Sequence, residues 1–326
     1  MSKICILGGG AFGTALACVA RRAGHQTSLW SRNKAVVDAI NQHQKNPAYL
    51  DDLILEPEIK ATDSFDDALL NADIVLFAVP AQTIGKIAKT VASLIKPGTI
   101  IISSAKGIDQ NTGLLPSETI AAEIQNCPVA ALSGPSFASD VVRKLPTAVT
   151  IASHDMALSQ KLAEAFSSDE FRCYASDDLK GVELGAALKN VLAIAVGAAR
   201  GMQLGASAEA ALIARGFAEI CRLATALGAS SQTLSGLSGL GDLVLTCSTP
   251  QSRNFSYGLA LGKGDSLQNL KLAEGAFTAR IASKIAIQHE IDTPIIHAVT
   301  AVLDKKLTAQ DAVVQLLRRP LKTETK

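Results

Sequence analysis

Over the first half of the chain, apolar residues fall in short unbroken runs separated by stretches with helical spacing. The run at 3–7 ends in Gly8-Gly9-Gly10, and the pattern beyond it predicts a helix over 11–23, stopped by Gly24. A strand at 26–30 and a helix at 35–42 follow, and Asn46-Pro47-Ala48 opens an irregular segment. The almost wholly apolar run 74–79, stopped by Pro80, predicts another strand. Next come a helix at 84–94, a turn at Lys96-Pro97-Gly98, a strand at 99–103 and a helix at 115–125. Two more strands are expected near 128–132 and 147–152. Unbroken apolar strands alternating with helices predict an α/β domain, its mostly parallel sheet covered on both faces.

The alternation stops near Gly181. Beyond it nearly everything has helical spacing, at about 182–200, 206–227, 252–262, 273–289, 295–303 and 308–316. Alanine is dense between 182 and 229, which predicts closely packed helices. The expected organisation is an α/β domain over 1–181 and an all-α C-terminal domain over 182–326, and the chain length favours two domains. The apolar run 191–199 is nine residues long. A membrane span needs roughly 20, so none is expected.

Composition narrows the function classes. The chain of 326 residues is 48% hydrophobic and 19% charged, with a net charge of +1. No global field favours nucleic acid or a membrane surface, so an anionic substrate would need basic residues placed locally. The six cysteines are scattered, form no C-x-x-C pair and join no His at zinc-ligand spacing. Reduced thiols in a cytoplasmic protein without a metal are the expectation. Residues 2–10 are apolar but lack the cleavage pattern of a signal peptide.

Gly8-x-Gly10-x-x-Gly13 lies between the first strand and the first helix. In a Rossmann-type dinucleotide turn the first glycine permits the tight bend. The second lets the backbone approach a pyrophosphate, and the third lets helix and strand pack closely. The helix N-terminus adds free N–H groups and partial positive charge. Strand two ends in Trp30-Ser31-Arg32-Asn33, with no acidic residue to hold ribose hydroxyls. Arg32 is instead suited to a 2′-phosphate, so that NADP is expected to be accepted, or is a solvated surface arginine.

The helical half opens with Glu183-Leu184-Gly185-Ala186-Ala187-Leu188-Lys189-Asn190. Lys189 lies one helical turn from Gly185 and Ala186, which leave room for a ligand, and one turn from Leu192 and Ala193, an apolar wall. A lysine so placed suits acid–base work, or else snorkels from a core helix. Lys106, directly after a strand, stands where open α/β sheets bind ligands, or is a surface lysine. Ser133-Gly134-Pro135-Ser136-Phe137-Ala138 offers backbone N–H groups and hydroxyls, or is an ordinary turn. Ser238-Gly239-Leu240-Gly241-Asp242 is a second glycine-rich bend ending in a carboxylate. Ser252, Arg253 and Asn254 at the start of a helix make a good phosphate pocket, or are a helix cap, which would hardly need Arg and Asn together. The five histidines form no catalytic set.

Taken in order, residues 8–17, Val79-Pro80, 103–107, 133–138, 183–190, 237–242, 251–254 and Glu274-Gly275 carry a resemblance that runs along essentially the whole chain. The chain resembles the bacterial NAD(P)-dependent sn-glycerol-3-phosphate dehydrogenases. The resemblance implies reversible reduction of dihydroxyacetone phosphate to sn-glycerol 3-phosphate with NAD(P)H, in the service of glycerophospholipid synthesis, by a homodimer. It makes Lys189 the general acid–base; Asp242 is then expected to orient Lys189 or a substrate hydroxyl, and Lys106 to assist at the reacting oxygen or hold the substrate. Lys106, Gly134, Ser136, Asp242, Ser252, Arg253 and Asn254 match substrate positions. Ala11, Phe12, Arg32, Lys106, Ala138, Arg253, Leu272 and Glu274 match cofactor positions. The family turn often reads Gly-Ser-Trp-Gly, whereas this chain has Gly10-Ala11-Phe12-Gly13. Any polar contact from Ala11 must therefore use its backbone.

Two other readings compete. One is a related two-domain dehydrogenase acting on a hydroxy acid or ketopantoate, against which the Ser252-Arg253-Asn254 group argues. The other is a non-catalytic dinucleotide sensor, which would have no need of Lys106, Lys189 and Asp242 together.

Overall fold

The computed structural model describes residues 1–268, 270 and 273–320. The chain forms two compact units, and they are not consecutive pieces. The first comprises Met1–Ala186 and Ala229–Asp242; the second comprises Ala187–Gly228 and Leu243–Lys326.

The first unit is built on one sheet of eight strands. These are β1 (Lys3–Leu7), β2 (Gln26–Trp30), β3 (Lys60–Thr62), β4 (Ile74–Phe77), β5 (Ile100–Ser103), β6 (Val129–Ser133), β7 (Thr147–Ser153) and β8 (Phe171–Ser176). Their spatial order is β3-β2-β1-β4-β5-β6-β7-β8. Neighbours run parallel except β6 and β7, which are antiparallel. The first six strands therefore have the Rossmann order, whose direction of growth reverses between β1 and β4. At that reversal the β1–helix turn stands at the strand carboxyl ends.

The central strands are apolar on both sides because helices cover both faces. Ile4, Ile6, Leu76 and Ile102 join one core, and Cys5, Leu7, Val75 and Ile101 join the other. The elements without such runs are the ones the pattern does not announce. β3 is three residues long and reads Lys-Ala-Thr, and β8 buries Phe171 while exposing Arg172 and Tyr174. Both are edge strands, half or less buried, so tertiary pairing rather than sequence pattern decides them. Helix Met156–Phe166, capped by Asp155, is likewise an addition to the expected elements.

The described residues of the second unit contain helices and no strand. Helix Leu179–Gly201 supplies its later residues to this unit, joined by Ala206–Ala226, Arg253–Lys263, Glu274–Gln288, Pro294–Leu303 and Ala309–Leu317. Glycines set the spacing. A Cβ on Gly197 would stand 2.1 Å from the Phe255 carbonyl oxygen, and one on Gly258 would stand 2.0 Å from that of Ile194. Helix Leu179–Gly201 matches a membrane span in length and apolarity, but 94% of its most apolar window is buried within the protein. It is a core helix.

Candidate functional site

The glycine turn shows why three glycines recur at this spacing. Gly8 has φ +135°, and a Cβ there would meet the Ala78 carbonyl oxygen at 2.4 Å. A Cβ on Gly13 would stand 1.9 Å from the Gly8 carbonyl oxygen, so only glycine lets the helix approach the strand. Gly10 differs: a Cβ there would meet no atom of the chain within 4 Å. Internal packing therefore does not explain it, whereas close approach by a pyrophosphate does. Gly10 is also the N-cap of helix Ala11–Arg22 and supplies no side-chain cap, which leaves the helix N–H groups to a ligand. The residues present thus fit a dinucleotide.

Arg32 follows β2 and is exposed, with neither an ion-pair nor a hydrogen-bond partner among the described residues. Ala11 and Phe12 are half-buried in the first turn of helix Ala11–Arg22. Ala138 is half-buried and begins helix Ala138–Val142.

Beyond β5, the first unit brings five of the expected residues together. Lys106 Nζ donates to Asp242 Oδ2 at 2.7 Å and to the Gly134 carbonyl at 3.1 Å, and it lies 5.9 Å from the centroid of the Phe12 ring. Ser136 Oγ donates to the same Gly134 carbonyl at 3.0 Å. The loop after β6 thus turns its Gly134 carbonyl towards the lysine, and the Ser136 hydroxyl bonds the same oxygen. Asp242 is only 2% exposed and is held by a lysine side chain 20% exposed. A buried carboxylate needs such a cation. Asp242 reaches this place because residues Leu237–Gly241 form a wide π-type turn immediately before it. Gly239 lets that turn close, since a Cβ there would meet the Leu234 carbonyl oxygen at 1.9 Å.

Glu183, also in the first unit, is 2% exposed. Its carboxylate accepts from Ser117 N at 2.8 Å and Ser117 Oγ at 2.5 Å, at the start of helix Pro116–Glu123. Burial pushes its pKa up to about 7, against the pull of these donors.

In the second unit Lys189 is 4% exposed, between Leu188 and Asn190 on helix Leu179–Gly201. Its ammonium donates to Thr246 Oγ1, on helix Asp242–Ser248. Asn254 Nδ2 donates to Asn190 Oδ1 at 2.9 Å, and Asn254 Oδ1 accepts from Gly275 N at 2.9 Å. The Asn254 carboxamide therefore ties three helices together. Ser252 is the N-cap of helix Arg253–Lys263, accepting from Phe255 N at 3.3 Å. Arg253, the next residue, is exposed with no hydrogen-bond partner among the described residues. Glu274 is buried at the first position of helix Glu274–Gln288. Leu272 lies outside the described residues.

Thr246 and Asn190 are contacts the sequence reading did not single out. Asn190 stands directly beside Lys189, and Thr246 four residues after Asp242, a helical spacing that was available as a signal. A cavity of about 620 Å³ in the second unit has mostly apolar walls, among them Ile194, Leu212, Val299 and Leu316, and none of Lys189, Arg253 and Asn254 lines it. Among the described residues no group of three or more His, Cys, Asp or Glu is placed to hold a metal ion.

Comparison with known proteins agrees along the chain. Residues 3–159 match the family model described as NAD-dependent glycerol-3-phosphate dehydrogenase N-terminus, and residues 178–314 match the corresponding C-terminus. A glycerol-3-phosphate dehydrogenase (NAD(P)+) of Brucella ovis is 53% identical over 323 residues, covering 99% of either chain. The crystal structure of glycerol-3-phosphate dehydrogenase from Coxiella burnetii is 38% identical, with a TM-score of 0.92 over 98% of this chain and 99% of that one. A ketopantoate reductase structure from Ralstonia eutropha shares the fold at 16% identity, with a TM-score of 0.62 over 95% of this chain and 99% of its own.

Proposed function

The chain belongs to the NAD-dependent glycerol-3-phosphate dehydrogenase family, and on that premise we propose how its own residues carry the reaction. It is an oxidoreductase that reduces dihydroxyacetone phosphate to sn-glycerol 3-phosphate with NADH or NADPH. When bound, the nicotinamide supplies the hydride that adds to the ketone carbon.

Lys189 donates the proton. As the carbonyl oxygen gains negative charge, an ammonium group stabilises it and then transfers a proton to it. The observation that carries this assignment is a lysine 4% exposed whose amine is bonded to the Thr246 hydroxyl. Arg253, exposed at the start of a helix whose cap is Ser252, binds the substrate phosphate. Lys106 holds a substrate oxygen, and the 2.7 Å pair with Asp242 supports Asp242 as the group that positions it. The turn that Gly8 and Gly13 shape binds the pyrophosphate at Gly10, and Arg32 opens the site to NADP. The family resemblance further supports a cytoplasmic homodimer that supplies glycerophospholipid synthesis.

Steady-state oxidation of NADH and NADPH with dihydroxyacetone phosphate, run against ketopantoate and other 2-keto acids, tests the substrate. The expected result is turnover with the phosphorylated ketone alone. Lys189→Ala should lower kcat by about 10²–10⁴-fold, the usual worth of a general acid, with little change in cofactor affinity. Near-normal turnover would remove Lys189 from the role.

A further inference from the structure

Asn46 precedes the short helix Pro47–Leu50 and has no solvent exposure. Its side chain reaches back across 37 residues to the glycine turn. Nδ2 donates to the Gly9 carbonyl oxygen at 3.1 Å and to Thr14 Oγ1 at 2.8 Å. Its Oδ1 is buried with no hydrogen-bond partner among the described residues. An unsatisfied buried acceptor is costly, so an apolar residue of similar size would serve better if packing were the whole task. The cost is offset by two N–H groups directed at two acceptors.

We propose that Asn46 is a positioning residue for the dinucleotide: it fixes the orientation of the Gly9–Gly10 peptide and thereby aims the Gly10 N–H at the pyrophosphate. The inference rests on the reading that the glycine turn binds the dinucleotide. The peptide unit is planar and trans, so its carbonyl and its N–H point in opposite directions. The Gly9 carbonyl is held inward by Asn46. The N–H of the same peptide belongs to Gly10, at the position where a Cβ would meet nothing within 4 Å. With glycine on both sides, this peptide could rotate at little cost if it were not tied. Rotated, it would present a carbonyl oxygen to the phosphates. The second N–H goes to Thr14 Oγ1 and not to this peptide, and the Thr14 backbone N–H, which donates to the Gly10 carbonyl at 3.0 Å, does not depend on the threonine side chain.

The test is a kinetic split across four variants of the full chain. Asn46→Asp, which keeps the shape and loses both donors, and Asn46→Ala should raise the KM for NADPH by about tenfold or more, the scale of one lost oriented hydrogen bond to a charged group. The KM for dihydroxyacetone phosphate and kcat at saturation should stay near their original values. Thr14→Val, which leaves the Gly9 bond in place, should retain the NADPH KM. An unchanged NADPH KM in Asn46→Asp overturns the proposal, as does an equal loss in Thr14→Val, which would mark a packing role. Gly10→Val separates the two layers of the argument. If it still uses NADPH normally, the turn itself is not the dinucleotide site. If it loses NADPH while Asn46→Asp does not, only the role of Asn46 fails.

Discussion

Single residues divide here into those whose task shows in their type and those whose task depends on a partner. Arg32 is of the first kind. It is exposed at the end of β2, where an acidic residue would favour NAD. An arginine that pairs with a 2′-phosphate contributes roughly 1.5–3 kcal/mol as a charged hydrogen bond. Arg32→Ala should therefore weaken NADPH by about 10–100-fold and leave NADH nearly unaffected. Parallel losses for both cofactors in a fluorescence titration would refute the assignment. Arg253 is of the same kind, and Arg253→Ala should mainly raise the KM for dihydroxyacetone phosphate; an unchanged KM would take the phosphate away from it. Asn254 is of the second kind. Its place beside Arg253 was legible, but its bonds to Asn190 and Gly275 arise from three helices meeting, which no local pattern encodes. Thr246 and Asn46 were hidden for the same reason. Each is an ordinary polar residue until a distant element arrives beside it.

Elements were legible where burial was two-sided or helical spacing was long. β1, β4 and β5 are almost wholly apolar, and the long helices of the second unit carry the expected periodicity. β3 and β8 were not, because an edge strand buries too little to mark its sequence. Element ends also carry their own chemistry. Glu183 holds the start of helix Pro116–Glu123 through Ser117, and its pKa is raised from 4.5 to about 7 by burial. The folded chain keeps this proton up to about pH 7, whereas the unfolded chain releases it near pH 4.5. Between those limits the folded state binds more protons, so its stability falls as pH rises. The contribution is fully present below pH 4.5 and is lost as pH passes through 7. Glu183→Gln, which does not titrate, should escape this loss. Its stability relative to the original chain should improve between pH 4.5 and 7.5 by on the order of 3 kcal/mol. Urea unfolding of both proteins at the two pH values measures this, and parallel pH profiles would show that Glu183 titrates normally.

At the scale of the molecule, the change from alternating strands to helices was visible near residue 181, and the two compact units follow a different division. Composition cannot show that 229–242 returns to the first unit, because this depends on where a short helical segment packs. The return has consequences that a fragment can test. A chain ending at 181 keeps every strand of the sheet, yet it loses Val182, which is buried with Ala131, Ala152 and Leu179. It loses Glu183, leaving Ser117 without its acceptor, and it loses Asp242, leaving Lys106 without its carboxylate. Exposing an apolar cluster and removing these two carboxylates from their partners costs several kcal/mol, against a typical net stability of only about 5–15 kcal/mol. Residues 1–181 alone should therefore melt well below the full chain, or without a cooperative transition, and should bind NADPH more weakly. Circular-dichroism melting and a dinucleotide titration of the fragment provide the check. A cooperative melt at the full-length temperature, with undiminished affinity, would make 181 the true boundary and the returning segment an accessory. The opposite result would mean that the dinucleotide domain is completed by residues the chain supplies only after it has begun the helical half.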